Sequence, residues 1–232
     1  MAQRPQICRW HVLADTEALE RDAVSRILAA ARETLADAGA FRLVLTGGKT
    51  PRRIYAALGR CAADWARWHI YFGDERCLPA NDPERNSRMA ADAWLDRVPI
   101  PRAQIHAIPA EANARQGAAA YARTLAGLPD FDLVLLGLGE DGHTASLFPG
   151  DPPGAEDGAP DVLPVFGAPK PPPQRVSLSA RRLAAARRVI FLVSGAGKKA
   201  AVDAWRTGAA VPAAAVAPPG GVDVLVDFPP AE

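Results

Sequence analysis

FDLVLLGLGEDGHTASLFPG (Phe131–Gly150) carries the pattern that decides the fold. Leu133–Leu136 is an apolar run too short for a helix and closed by glycine, so it reads as a strand buried on both faces. Directly after it the chain turns polar and glycine-rich, with His143 two residues beyond Asp141. The same succession occurs three more times. FRLVL (Phe41–Leu45) runs into Thr46-Gly47-Gly48-Lys49-Thr50, and Ile70–Phe72 runs into Gly73-Asp74-Glu75-Arg76. Val189–Val193 runs into Ser194-Gly195-Ala196-Gly197-Lys198. A further strand is expected at Val222–Val226.

Helical spacing fills the intervals. Val24, Ile27, Leu28, Ala31 and Leu35 follow Asp15 and Thr16, either of which suits an N-cap, and Gly39 suits the stop. Thr50 and Pro51 are expected to open the next helix as cap and N1 proline, running to about Gly59. Helices are also expected near Met89–Arg97, Ala112–Leu125 and Lys198–Arg206. Strands alternating with helices need crossover connections, which gives an α/β fold: a mostly parallel sheet with helices on both faces. The segment 149–174 is dense in Pro and Gly without periodicity and is expected to be a long surface loop. Residues 1–232 are expected to form one domain.

Composition narrows the class. The chain has 232 residues, 49% hydrophobic and 23% charged, with 27 Lys and Arg against 26 Asp and Glu. A net charge of +1 offers no basic stripe for nucleic acid, and no run of 18 apolar residues suggests a membrane span. Cys8, Cys61 and Cys77 are too few and too scattered for a disulfide framework or a CxxC metal site. A cytoplasmic, reducing setting is expected, without nucleic-acid or membrane partners. Only Lys49, Lys170, Lys198 and Lys199 are lysines, so a lysine in a glycine-rich loop is informative here.

Open parallel sheets bind ligands beyond the carboxyl ends of their strands. Gly47 and Gly48 would let backbone approach a ligand, and the following helix start suits an anion. Lys198 at a helix N-terminus is electrostatically misplaced unless an anion lies between them. Arg175 could add a bidentate phosphate contact. Asp74, Glu75 and Arg76 cluster as a substrate-holding group, although for Glu75 an internal ion pair that orders the loop is the better reading. His143, among glycines and beside Asp141, has the surroundings of a general base. His11, His69 and His106 sit in or beside strands and are expected to be structural. No nucleophile elbow surrounds Ser146, and no HxxxH or HExxH metal pattern occurs. The inventory suggests a base that activates water on a small phosphorylated substrate, with no metal or organic cofactor.

LTGGKTP, YFGDERCLPANDPERNSRMA, FDLVLLGLGEDGHTASLFPG, KPPPQRVSLS and GAGKKAAV occur in an order and spacing that resembles bacterial 6-phosphogluconolactonases, from about residue 10 to 228. The resemblance implies a Rossmann-like fold of the glucosamine-6-phosphate deaminase/isomerase type and hydrolysis of 6-phosphoglucono-δ-lactone in the pentose phosphate pathway. It implies His143 as general base, Asp141 as its orienting partner and Arg76 as a substrate-holding group. Gly47, Gly48, Thr50, Arg175 and Lys198 match sugar-phosphate contacts, with Asp74 alongside. Lys49 stands where the family often has Ser, which makes it either a third cation of the phosphate pocket or a solvent-facing side chain. Cys77 replaces a commonly aromatic or aliphatic residue. The expected partner is a sugar-phosphate lactone, and the expected assembly a monomer or small homo-oligomer.

The amino-sugar-phosphate branch of the fold carries a Glu five residues beyond its His, where this chain has Phe148. Sugar-phosphate-sensing regulators carry an N-terminal helix-turn-helix, for which about 40 residues before the first glycine loop leave too little room.

Overall fold

A computed structural model describes residues 6–230. The chain runs β1 (Cys8–Val12), α1 (Thr16–Asp37), β2 (Phe41–Leu45), α2 (Lys49–Leu58), β3 (Trp68–Phe72), β4 (Asp74–Arg76), α3 (Asn86–Ala90) and α4 (Ala114–Leu125). It continues through β5 (Leu133–Gly137), β6 (Val162–Val165), β7 (Arg175–Leu178), α5 (Ala180–Ala184), β8 (Val189–Val193), α6 (Lys199–Arg206) and β9 (Val222–Val226). Six strands form one wholly parallel sheet in the order β1-β9-β8-β5-β2-β3. Of its central strands, β8 is buried throughout and β5 up to Gly137, as expected of apolar runs covered on both faces. Connections from β1 and β2 advance toward the β3 edge, whereas those from β3, β5 and β8 retreat from it. Right-handed crossovers therefore send α1 and α2 to one face and α4 and α6 to the other.

A second, antiparallel sheet of order β4-β7-β6 was not legible in the sequence. Gly73 is the junction. Its N–H donates to Leu45 O of the main sheet (2.9 Å), and its carbonyl accepts from Leu178 N of the small one (2.7 Å). Asp74, Glu75 and Arg76 therefore lie on a strand rather than in a loop. β6 likewise corrects the expectation of an unstructured 149–174 segment. Val162 and Val165 are buried there, although Pro164 and the flanking glycines mask the pattern. β1 gives no buried-strand pattern, because CRWHV is half-exposed on the sheet's edge.

Helix boundaries shift for local reasons. Asp15 is the N-cap of α1, accepting from Ala18 N at 2.7 Å. Gly48, not Thr50, caps α2, since its φ of +117° is open to glycine, and Pro51 falls at the third helical position. The expected Met89–Arg97 helix starts three residues earlier and continues beyond α3 as a π-turn at Ala91–Leu95. Three tryptophans consolidate that corner, with Trp68 4.7 Å from Trp65 and 5.9 Å from Trp94.

Two buried tyrosines finish the strand ends that face the ligand side. The Tyr55 hydroxyl, from α2, donates to Thr46 O (2.9 Å) and accepts from Thr46 N (3.0 Å). The Tyr121 hydroxyl, from α4, accepts from Phe72 N at 3.0 Å. Each phenol satisfies backbone groups that no neighbouring strand reaches, and burial pushes both hydroxyls up, so they stay protonated. Tyr55→Phe strands both Thr46 backbone groups. We expect a loss of about 1–3 kcal/mol in urea unfolding with unchanged slope; an unaltered midpoint contradicts this role.

Candidate active site

β2 and β5 are neighbours, yet the chain leaves β2 toward one edge of the sheet and β5 toward the other. Connections that part in this way leave a crevice at the strands' carboxyl ends. A cavity of about 390 Å³ lies there. Thr46, Gly47 and Gly48 line it from β2's side, and Gly137, Leu138 and Gly139 from β5's. The small sheet contributes Asp74, Arg76 and Arg175, the segment before β7 contributes Lys170 and Pro171, and the loop after β8 contributes Lys198.

His143 enters from the loop beyond β5. Its Nδ1 lies 2.5 Å from Asp141 Oδ1, which also accepts from the His143 backbone N–H at 3.2 Å. A carboxylate can only accept, so Nδ1 carries a proton, and the neutral ring has its lone pair on Nε2. Asp141 is partly desolvated, but the hydrogen bonds and charge of His143 outweigh that and hold its carboxyl below the usual range. It is ionised at neutral pH. The ring rests on Phe148, with centroids 4.9 Å apart. A Cβ on Gly139 would lie 2.0 Å from His143 Nδ1 and 2.4 Å from Asp141 Oδ1, so the pair occupies the space of the missing side chain. Gly142 needs its φ of +83°, and Ala145 holds +49° at the cavity wall, a strained backbone of the kind that gathers at functional sites.

The carboxylates of β4 point in different directions. Glu75 is fully buried and accepts from the backbone N–H groups of Arg76, Asn86 and Ser87 at 2.8–2.9 Å, with Arg85 Nε 3.4 Å away. It is the internal pair that orders the loop and caps α3; its cation is Arg85 rather than Arg76. Asp74 faces the cavity, accepting from Ser146 Oγ (2.6 Å) and Asn86 Nδ2 (3.0 Å). Burial pushes its carboxyl up, against the pull of these contacts and of Arg175.

Four cations line the cavity. Arg76 donates to Glu84 O (2.7 Å). Arg175 spends Nε and one terminal nitrogen on the carbonyls of Lys170, Pro171 and Pro172, which fastens the preceding segment, and it lies over the Phe148 ring at 5.7 Å. Burial draws its basicity down. The Lys198 ammonium has no hydrogen-bond or ion-pair partner among the described residues, and the residue stands at the N-cap of α6. With only Asp74 and Glu84 as lining acids, the chamber favours an anion.

The structure thus brings together Gly47, Gly48, Asp74, Arg76, His143, Arg175 and Lys198, with Asp141 behind the imidazole. Lys49 and Thr50 fall in the first turn of α2, outside the cavity lining, and Lys49 is exposed. Gly47 has a packing role besides the one expected of it. Its φ is ordinary, and a Cβ there would lie 2.0 Å from Asn86 Oδ1, so the space it leaves is filled by a side chain. Asn86, Glu84, Lys170, Thr144 and Phe148 also line the cavity. Thr144 and Phe148 come with His143 on the loop after β5, whereas the placement of Asn86, Glu84 and Lys170 depends on long-range pairing of β4 with β7, which no local pattern announces. No group of three or more His, Cys, Asp or Glu among the described residues could hold a metal ion, and no helix there is long and apolar enough to cross a membrane.

Gly139→Ala tests the imidazole's seat. The downfield Nδ1 proton resonance expected of the His143–Asp141 hydrogen bond is lost in this variant while far-ultraviolet circular dichroism is unchanged; its persistence contradicts the packing described.

A family model described as glucosamine-6-phosphate isomerases/6-phosphogluconolactonase matches residues 14–225. A 6-phosphogluconolactonase from Streptomyces coelicolor is 39% identical, with 90% of this chain and 85% of that one covered. Another from Synechocystis is 38% identical, with 82% of each chain covered. Among solved structures, 6-phosphogluconolactonase from Trypanosoma brucei superposes with a TM-score of 0.87 at 30% identity, covering 96% of this chain and 97% of that one. The Thermotoga maritima enzyme gives 0.88 at 26% identity, covering 96% and 100%. A glucosamine-6-phosphate deaminase at 20% identity and a TM-score of 0.80 shares the fold. The chain belongs to the glucosamine-6-phosphate isomerase/6-phosphogluconolactonase family.

Proposed function

We propose that this protein is a 6-phosphogluconolactonase, hydrolysing 6-phospho-D-glucono-1,5-lactone to 6-phospho-D-gluconate by water attack on the lactone carbonyl. The observation that carries the reading is the His143–Asp141 pair set into a cavity with four cations. The names of the most similar relatives agree with it.

Chemistry follows from the groups present. Nε2 of His143 takes a proton from water as its oxygen bonds to C1, giving a tetrahedral oxyanion. Arg76 stabilises that charge. Collapse of the intermediate breaks the bond from C1 to the ring oxygen, which receives the proton from Nε2. Asp141 stabilises the transient imidazolium and holds the tautomer. The phosphate lies with Lys198, Arg175 and the start of α2, where Gly47 and Gly48 have backbone N–H groups without an acceptor among the described residues. Thr50 adds its first-turn N–H, and exposed Lys49 contributes long-range attraction. Phe148 places an apolar ring where ring-opening of an amino sugar would need a proton-transferring carboxylate.

His143→Ala and His143→Asn are each expected to lower kcat by at least about 10²-fold in a pH-stat assay of acid release, after subtraction of spontaneous hydrolysis. Unchanged rates in both place the base elsewhere. Lys198→Ala is expected to raise KM for the phosphorylated lactone about tenfold, the cost of one charge-assisted hydrogen bond, and to leave slow hydrolysis of unphosphorylated glucono-1,5-lactone as it was. An equal loss on both lactones contradicts a phosphate contact.

A further inference from the structure

We infer that Asn86 is a specificity-determining residue whose side-chain oxygen accepts a hydrogen bond from a ring hydroxyl of the sugar. The inference rests on the reading of the cavity as a sugar-phosphate site and extends it to the polyol face of the substrate.

The amide has only one stable orientation. Its Nδ2 donates both to the Asp74 carbonyl and to Asp74 Oδ1, at 3.0 Å each, so two acceptors claim the NH₂ end. Turning the amide over would set its oxygen against two oxygens. The backbone is pinned as firmly, because Asn86 N donates to buried Glu75 Oε1 at 2.8 Å. Asp74 is itself held by Ser146 Oγ at 2.6 Å. The chain of contacts from Ser146 through Asp74 therefore fixes which atom of Asn86 is left over.

That atom is Oδ1. It lies against Gly47, where a Cβ would come within 2.0 Å of it, and it accepts no hydrogen bond from any described residue. Asn86 is 8% exposed, and the cavity that it lines with His143 and Lys198 is where the remaining surface belongs. An amide oxygen with no protein donor at a cavity wall is free to accept from a ligand hydroxyl, and it loses its hydrating water uncompensated when a ligand seals the site without one. Arg76, Lys170, Arg175 and Lys198 offer only donors, which suit phosphate and carboxylate oxygens. A sugar hydroxyl is a donor and needs an acceptor, and Asn86 presents a neutral, rigid one. An analogue lacking that hydroxyl leaves Oδ1 unpaired and is rejected. Gly47 and Asn86 thus form a single device, in which the missing side chain of one makes room for the hydroxyl-reading oxygen of the other.

The test compares 6-phosphoglucono-1,5-lactone with its 2-, 3- and 4-deoxy forms, and 6-phosphogluconate with the corresponding deoxy acids. Hydrolysis is followed by pH-stat and binding of the acids by calorimetry, in wild type and in Asn86→Ala, with thermal unfolding as a check on folding. In wild type one deoxy position is expected to cost about 10- to 100-fold in kcat/KM and in affinity. In Asn86→Ala that penalty disappears at that position, the other two penalties remain, and the parent compound weakens by a similar factor. Asn86→Ser, which keeps a short acceptor, is expected to restore part of the discrimination. Loss of hydrolysis with hydroxyl discrimination retained in acid binding would remove the lactonase reading and leave this inference standing. Equal penalties in wild type and Asn86→Ala at all three positions overturn it, as does a uniform loss across parent and deoxy compounds.

Discussion

β2 and β5 lie side by side in the sheet and hand the chain to opposite edges. Every functional feature of the molecule depends on that divergence. It opens a crevice between two strand ends whose own hydrogen-bonding partners are exhausted, and it does so where six parallel strands all present their carboxyl ends. Backbone groups stranded there must be satisfied by side chains or by a ligand. Tyr55 and Tyr121 satisfy some. The N–H groups of Gly47 and Gly48 are left to the cavity.

Charge is distributed so that structure and chemistry do not compete. Glu75 spends both oxygens on the start of α3 and on Arg85, and so belongs to the scaffold. Its neighbour Asp74, one residue earlier on the pleat, points to the other side and orders Asn86 and Ser146 at the cavity wall. Asp141 carries its charge at the rim, where a partly exposed carboxylate is cheap, and directs it at Nδ1 of His143. Arg175 is shared. Part of its guanidinium anchors the carbonyls of 170–172, which brings Lys170 to the cavity, and the remainder faces the chamber.

Much of this was legible from local sequence. The buried strands announce themselves as short apolar runs, and glycine after each marks the ligand side. Gly47, Gly48, His143 and Lys198 converge because parallel strands in one sheet place their carboxyl ends together, and Asp74, Arg76 and Arg175 join them from the small sheet that Gly73 fastens to it. Legibility stops where pairing is long-range. β4 and β6 are recognisable only through β7, roughly 100 residues from β4, and so Asn86, Glu84 and Lys170 carried no local signal. A packing role of Gly47 lies beyond local sequence for the same reason: nothing near it in sequence shows that Asn86 fills its empty side-chain volume. At the start of α2 the Thr50-Pro51 pattern lies two residues inside the true boundary, because a positive-φ glycine caps the helix without any side chain.

The most direct measurement is a crystal structure of the complex with 6-phosphogluconate. The account predicts Nε2 of His143 about 3 Å from a carboxylate oxygen of the product, with the phosphate against Lys198 and Arg175. A product bound in the reverse sense, with its phosphate beside the imidazole and its carboxylate at Lys198, contradicts it.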